Sequence, residues 1–124
     1  VSKEICRAAD FCGVRSGRDL DKFEATGLTR EKASTVNVPL VKESPVNIEC
    51  KVTQVLELGS HDMFLAKVTA VQVDESLLDE KGKLDLNKAH LVAYSHGEYQ
   101  TFDNILGTFG YSVKKKDKKE KKKH

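Results

Sequence analysis

The fold is decided by a stretch of strict alternation between apolar and polar residues, Val46-Asn47-Ile48-Glu49-Cys50-Lys51-Val52-Thr53. Successive side chains of a β-strand point to opposite faces, so this alternation predicts a strand with one buried face. The pattern begins after Pro45, and the predicted strand ends at Leu58. Gly59-Ser60 follows directly and predicts a tight hairpin turn, because glycine adopts the backbone conformations that such turns require.

The return strand changes its parity part of the way along. Apolar residues alternate on one face from Phe64 to Ala70, whereas Val71 and Val73 fall on the other face. A β-bulge inserts one extra residue and shifts the alternation in this way. We therefore predict a bulge near Ala70, a feature common where a sheet curls toward a barrel.

Two short helices are predicted before this hairpin. Residues 3–11 carry apolar side chains at near-helical spacing, and Ser2 precedes them as a candidate N-cap. Ser16 with Asp19 fits a capping box, which predicts a second helix that ends near Gly27. Arg18 and a lysine four residues later would then share one face of that helix.

The chain beyond the hairpin predicts one more strand and one more helix. Residues 91–94 are apolar and read as a strand that ends at Gly97, and residues 102–109 have a short helical spacing. Long strands with short helices around them favour a mainly β fold with peripheral helices, built on an antiparallel sheet or barrel.

Composition indicates one domain with a solvated tail. The chain has 124 residues, 39% of them hydrophobic, and no apolar run of about 18 residues that could span a membrane. Residues 114–123 contain eight lysines against one Asp and one Glu, so this segment carries +6 and residues 1–113 carry −4. We predict a Lys-rich disordered tail at residues 114–124; contact with nucleic acid or an anionic surface is the alternative.

The cysteines favour a reducing compartment. Cys6, Cys12 and Cys50 cannot all pair with one another, and none forms the Cys-x-x-Cys spacing of a zinc or redox site. This usage predicts a cytoplasmic protein. The chain begins at Val1 without an initiator Met, so we expect that processing or truncation has removed residues before it.

A hydroxyl, a glycine and two cations are grouped at the predicted start of the second helix. Ser16, Gly17, Arg18 and Lys22 supply what an organic phosphate requires: close backbone approach, a forked guanidinium and an ammonium. No Rossmann or Walker glycine pattern accompanies them, so a monophosphate is the favoured ligand. The plain alternative is a capped surface helix whose cations are screened by neighbouring carboxylates.

The Ser60-His61-Asp62 sequence does not predict a hydrolase triad, because adjacent strand residues point to opposite faces. His61 could instead project over a cleft from the end of a strand, and a solvated surface residue is the alternative. The histidines have no metal-ligand spacing, so no metal site is predicted. By itself, Tyr94 reads as a strand aromatic half packed into the core.

Several segments, in this order along the chain, together resemble the flavin reductase-like, FMN-binding family that includes flavoredoxin. They are Cys12-Gly13-Val14-Arg15-Ser16-Gly17-Arg18-Asp19-Leu20-Asp21-Lys22-Phe23, Ser44-Pro45-Val46-Asn47-Ile48-Glu49-Cys50, Gly59-Ser60-His61-Asp62 and Tyr94-Ser95-His96-Gly97-Glu98-Tyr99. The resemblance extends over residues 1–113. It implies a partial split β-barrel of the FMN-binding, Greek-key type that assembles as a homodimer.

The resemblance also implies roles for individual residues. Ser16, Gly17, Arg18 and Lys22 would contact FMN, with Lys22 near the flavin, and Tyr94 would lie near the same ring. His61 would lie beside the isoalloxazine and act as the catalytic residue, helping to orient a nicotinamide donor.

The family domain begins before the residue that matches Val1, so residues 1–113 would form its C-terminal portion. The expected activity is electron transfer from a reduced nicotinamide or a redox partner protein through FMN to an acceptor. A non-catalytic half-barrel that has lost the flavin and serves in interaction or dimerisation is the alternative, since missing strands leave unpaired edges and apolar surface. Neither nucleic acid nor membrane is an expected partner.

Overall fold

The computed structural model describes residues 1–102 and 104–114, and within them the strands form three antiparallel two-stranded hairpins. The two helices are α1 (Cys6–Val14) and α2 (Lys22–Thr26), and the strands are β1 (Arg30–Glu31), β2 (Leu40–Val41), β3 (Val46–Glu57), β4 (Asp62–Val73), β5 (Val92–Ser95) and β6 (Glu98–Thr101). The predicted class, mainly β with peripheral helices, is confirmed. The sheets do not close into a full barrel within the described chain.

The β3–β4 hairpin dominates the structure and matches the sequence prediction. Its strands are 12 residues each, and their register runs from Val46 opposite Val73 to Glu57 opposite Asp62. The turn is closed by the N–H of Leu58, which donates to the carbonyl of His61 at 3.0 Å. The intervening glycine has a φ of 89°, a value that favours glycine.

Two β-bulges interrupt this register, and both extra residues are threonines. Thr69 on β4 has no Cα partner, and neither does Thr53 on β3. Each hydroxyl donates across the hairpin, from Thr69 to the carbonyl of Glu49 and from Thr53 to the carbonyl of Leu65, both at 3.1 Å. The bulge predicted near Ala70 is confirmed, and the second one was not predicted.

The bulges keep one face of the hairpin apolar along its length. Each extra residue shifts by one the alternation of side chains between the two faces, and this offsets the changes of alternation in the sequences of β3 and β4. We call this surface the apolar hairpin face; it consists of the cross-strand pairs Val46–Val73, Ile48–Val71, Cys50–Val68, Val52–Ala66 and Val55–Phe64. It is largely uncovered: Ile48, Val52 and Phe64 are 58%, 52% and 61% exposed.

The first helix forms where predicted, but Ser2 does not cap it. Ser2 is buried and extended, forms an isolated β-bridge with Leu91 and makes no side-chain capping bond. A 3₁₀ turn at Lys3–Ile5 leads into α1 instead. The bridge joins the start of the chain to the residue before β5, and the N–H of Val92 donates to the carbonyl of Val1 at 3.1 Å.

The second helix begins later than predicted, and its N-cap is Asp21. The Asp21 carboxylate accepts from the N–H groups of Phe23 and Glu24 at 2.9 and 3.2 Å. The Ser16 hydroxyl accepts from the N–H of Arg18 at 3.2 Å and forms a separate turn. The capping-box prediction at Ser16 is therefore wrong, because a closer carboxylate caps the helix. The helix ends at the left-handed glycine, residue 27, as predicted.

The C-terminal part contains a hairpin and no helix between residues 102 and 109 among those described. β5 forms as predicted, and the chain then turns through His96 and Gly97, whose φ values are 52° and 84°, into the unpredicted β6. The predicted helix is wrong. Phe102 and Leu106 are 71% and 90% exposed, so a short helix there would bury too little apolar surface to offset its formation.

The buried apolar residues of the described chain are few: Ala33, Leu40, Leu77 and Ala89. Of the predicted Lys-rich tail, residues 115–124 lie outside the described residues. Within the described chain, neither helix has the length and apolarity needed to cross a bilayer.

Candidate functional site

The junction between α1 and α2 gathers most of the predicted phosphate-binding residues. The Lys22 ammonium donates to the carbonyl of Cys12, in the last turn of α1, at 2.5 Å. Backbone carbonyls at a helix C-terminus lack intrahelical partners and attract cations. The lysine stem passes Gly17, where a Cβ would lie 3.8 Å from the Lys22 Cε. The turn at residues 16–19 therefore lies beside a lysine fixed to α1.

This turn presents unused donors. The N–H groups of Ser16 and Gly17 donate to no other atom of the described chain. Arg18 is exposed and forms no ion pair, since the ion pair found among residues 1–102 and 104–114 joins Arg30 to Asp21. Arg18 precedes α2, so the prediction that it shares a helix face with Lys22 is wrong. The donors still suit an anion, because they surround an open turn.

Tyr94 lies on β5 and is 67% exposed. Its cross-strand partner is Tyr99 on β6, and the two ring centroids are 5.1 Å apart with the planes tilted by 59°. The Tyr99 hydroxyl donates to an Asp10 carboxylate oxygen on α1 at 3.1 Å. Tyr94 is thus connected to the helix that also holds Lys22. Sequence reasoning gave Asp10 no role and Tyr99 only that of a half-packed strand residue; a hairpin turn at His96-Gly97, which was not predicted, is the signal that would have paired the two tyrosines.

His61 lies at the tip of the β3–β4 hairpin and is exposed. Its Nδ1 is 3.0 Å from the Ser60 hydroxyl, a contact within the turn. No hydrogen bond joins His61 to Lys22, to Tyr94 or to the neighbouring Asp62. The structure therefore links the α1–α2 junction and Tyr94 through one helix, whereas His61 belongs to a separate element.

The best-connected polar side chain is one that sequence reasoning treated only as a strand residue. Glu49 is 1% exposed, and its carboxylate accepts from the N–H and hydroxyl of Ser34 at 2.9 and 2.8 Å. It accepts from the N–H and hydroxyl of Thr35 at 2.6 Å each, and from the Gln72 amide. These donors hold the loop after β1 against the hairpin. Ser34 and Glu49 are 15 positions apart in the chain, and no short-range pattern signals such a bond.

The Glu49 network keeps the carboxylate charged. The hydrogen bond from the Ser34 N–H, followed by that from the Thr35 hydroxyl, lowers the pKa of Glu49 far below its ordinary range, against the opposing effect of burial. Among the residues described, no group of three or more His, Cys, Asp or Glu side chains is placed to hold a metal ion. Glu49 thus acts as a structural acceptor that anchors a loop.

Comparison with known proteins defines the class first by its fold. A protein with a split barrel domain from Shewanella frigidimarina superposes with a TM-score of 0.72 at 29% identity, over 87% of this chain and 56% of that one. The model of the flavin reductase like domain matches residues 1–103. The chain belongs to this family, as the sequence motifs predicted.

Two further solved structures are similar to the chain. Flavoredoxin of Desulfovibrio vulgaris (Miyazaki F) has 34% identity and a TM-score of 0.81, over 91% of this chain and 61% of that one. An FMN-binding protein from Thermus thermophilus has 29% identity and a TM-score of 0.59, over 79% of this chain and 52% of that one. The chain spans 50 to 59% of the length of three curated relatives that it matches.

Proposed function

We propose that the chain belongs to an FMN-binding oxidoreductase that passes electrons from a reduced nicotinamide or a redox partner protein through flavin to an acceptor. The observation that carries the proposal is the match of the flavin reductase like domain to residues 1–103. The similarity to flavoredoxin, and to an FMN-binding protein for the cofactor, supports it. When bound, FMN supplies the hydride and single-electron chemistry.

The α1–α2 junction fits the anionic parts of FMN. The free N–H groups of Ser16 and Gly17, with the unpaired guanidinium of Arg18, are donors suited to a phosphate. Lys22 uses one ammonium proton on the Cys12 carbonyl and retains two, which can stabilise negative charge on a reduced flavin. The hydrogen-bond donors of the exposed turn at residues 16–19 therefore suit the phosphate, and the Lys22 ammonium suits the flavin ring.

Tyr94 and His61 complete the proposed set. The exposed ring of Tyr94 offers a surface on which a planar cofactor can stack. His61 would orient the nicotinamide donor from the hairpin tip. We further propose a cytoplasmic homodimer, in which the apolar hairpin face is covered by protein.

The test is binding of FMN to the protein expressed with all the residues that its gene encodes. Visible absorbance and quenching of flavin fluorescence report binding. We expect Arg18→Ala to weaken FMN binding by about tenfold, because the substitution removes a charge-assisted hydrogen bond to the phosphate. Lys81→Ala is the matched control, because Lys81 lies in the exposed turn near Gly82, far along the chain from the site. Wild-type protein that binds no FMN would contradict the proposal.

The catalytic role of His61 has its own measurement. We expect His61→Ala to slow the oxidation of a reduced nicotinamide even at saturating FMN, because the residue is proposed to orient the donor as well as to lie beside the flavin. Equal rates for wild type and variant would remove His61 from the mechanism.

A second candidate function is supported by the exposed apolar hairpin face. Exposed apolar side chains that neighbour one another on one face are typical of protein interfaces. A non-catalytic interaction module would be colourless and would bind no flavin, yet would still associate through this face. The absorbance spectrum of the freshly purified protein separates the two candidates.

A further inference from the structure

Tyr99 supports the ring of Tyr94 from the neighbouring strand. The two residues are direct cross-strand partners, and their tilted rings have centroids 5.1 Å apart. Tilted aromatic pairs at this separation attract each other beyond simple burial. Both tyrosines are exposed, Tyr94 to 67% and Tyr99 to 43%.

Tyr99 is in turn held by α1. Its hydroxyl donates to the Asp10 carboxylate at 3.1 Å, a bond between residues 89 positions apart in the chain. Partial burial, and then this hydrogen bond, raise the pKa of the Tyr99 phenol. The phenol therefore stays protonated and remains a donor across the ordinary range of pH.

The same helix holds Lys22. Asp10 and Cys12 both lie within the last five residues of α1. The carbonyl of Cys12 accepts a hydrogen bond from the Lys22 ammonium at 2.5 Å. The helix α1 therefore contacts both the β5–β6 hairpin, through Asp10, and Lys22, through Cys12. The distance between Tyr94 and Lys22 depends on both attachments.

We propose that Asp10 and Tyr99 are positioning residues that fix the ring of Tyr94 relative to Lys22. In this arrangement Tyr94 and Lys22 contact the same flavin. The inference rests on the proposed FMN-binding function. Neither residue touches the cofactor in this role. Their effect is transmitted through the ring pair and through α1.

Three variants separate the hydrogen bond from the ring and from the charge. Tyr99→Phe keeps the ring and removes the donor, and Asp10→Ala removes the acceptor. Asp10→Asn removes the charge but keeps an oxygen that accepts from the phenol. Tyr111→Phe is the matched control for loss of a tyrosine hydroxyl elsewhere in the chain.

We expect Tyr99→Phe and Asp10→Ala each to weaken FMN binding by about three- to fivefold, the effect of losing one partly exposed hydrogen bond. The double variant should lose no more than either single one, because both remove the same bond. Asp10→Asn should bind FMN about as well as wild type, because the amide oxygen still accepts from the phenol. If the negative charge itself were required, Asp10→Asn would bind as weakly as Asp10→Ala. Far-ultraviolet circular dichroism confirms that each variant folds.

A readout without flavin tests the coupling directly. Residues 1–124 contain three Tyr and no Trp, so differences between each variant and wild type in the tyrosine band of the near-ultraviolet dichroism and in phenolate absorbance report on these tyrosines. We expect Asp10→Asn and Asp10→Ala to lower the pKa of one phenol toward its ordinary value, and Asp10→Ala to weaken the dichroism of the ring pair. Tyr111→Phe should change neither property of that pair.

The outcomes distinguish this inference from the proposed function. If wild-type protein binds no FMN, both fail. If wild-type protein binds FMN and Tyr99→Phe binds it equally well, the positioning role fails and the proposed function stands. The explanation that both variants remove the same hydrogen bond would also be overturned if Tyr99→Phe and Asp10→Ala lost unequal FMN affinity and the double variant lost still more.

Discussion

The base and the distal half of the β3–β4 hairpin have the same strands but different surroundings. At the base, residues 46–50 with 69–73, the Asn47 amide accepts from the N–H of Val41 and donates to its carbonyl, both at 3.1 Å, and Glu49 accepts from Ser34 and Thr35. In the distal half, residues 51–68, every residue is exposed except the half-buried Leu56. At about 3.3 Å per residue, the distal half extends roughly 25 Å beyond these contacts.

This difference between the base and the distal half shows that hydrogen bonds from polar side chains, more than burial of apolar ones, attach the hairpin to the rest of the chain. Asn47, Glu49 and Gln72 share one face through the strand register, opposite the apolar hairpin face. Buried polar groups require partners with specific geometry, so they define where a loop docks. The apolar hairpin face remains available for other contacts.

The largest expected effect is the loss of the Glu49 carboxylate. Glu49→Ala leaves the donors of Ser34, Thr35 and Gln72 without their acceptor in a buried place, which is costly. We expect Tm, followed by far-ultraviolet circular dichroism, to fall by about 5–10 °C.

The matched control is Glu57→Ala at the far end of the same strand. Glu57 lies opposite Asp62, a like charge, and is exposed. Its removal should leave Tm unchanged or raise it slightly. Equal losses at Glu49 and Glu57 would mean that the base is not the special attachment described above.

The second prediction concerns acid. Hydrogen bonds lower the pKa of Glu49 below its ordinary 4.5, so its contribution to stability is complete above that pH. As the pH falls further, the unfolded chain takes up the proton before the folded chain does, and the contribution declines. Glu49→Gln cannot titrate. The difference in Tm between wild type and Glu49→Gln should therefore shrink from about pH 6 to about pH 3; a constant difference would show that the charge is irrelevant.

Local patterns predicted the elements whose causes are local. The alternation from Val46 and the parity switch at Ala70 are visible in the sequence, and the hairpin with its bulge followed. The helix expected at residues 102–109 failed because helical spacing says nothing about whether a face will be buried. Ser16 failed as a cap because a carboxylate five residues later competes for the same helix end.

The residues of the candidate site could be predicted from the sequence, but the hydrogen bonds that connect its elements could not. The sequence indicated Ser16, Arg18 and Lys22 by residue type, and the structure places them in and beside one open turn. The links from Tyr99 to Asp10 and from Glu49 to Ser34 join distant positions of the chain. Such contacts are set by tertiary packing, and a single sequence carries no periodic signal of them.

A smaller effect compares the two bulge threonines with the same substitution. Thr69→Val at the base removes a bond to the Glu49 carbonyl and a 2.6 Å contact with the Thr35 hydroxyl. Thr53→Val in the distal half removes only the bond to the Leu65 carbonyl. Urea unfolding should show a loss of about 1 kcal/mol for Thr69→Val and less than about 0.5 kcal/mol for Thr53→Val. The reverse order would contradict the difference between base and distal half.

The smallest expected effect is also the sharpest test of whether the apolar hairpin face is bare. Within a single chain Phe64 is 61% exposed, so at concentrations too low for the proposed homodimer to form, Phe64→Ser should change the unfolding free energy by less than about 0.5 kcal/mol while raising solubility. Leu77→Ser is the contrasting variant, because Leu77 is 2% exposed and its loss should cost about 3 kcal/mol. If Phe64→Ser costs as much as Leu77→Ser at higher concentrations, another protein surface covers this face in solution, as the proposed homodimer requires. A concentration-dependent Tm would then identify that surface as a second copy, because association stabilises the folded chain by mass action.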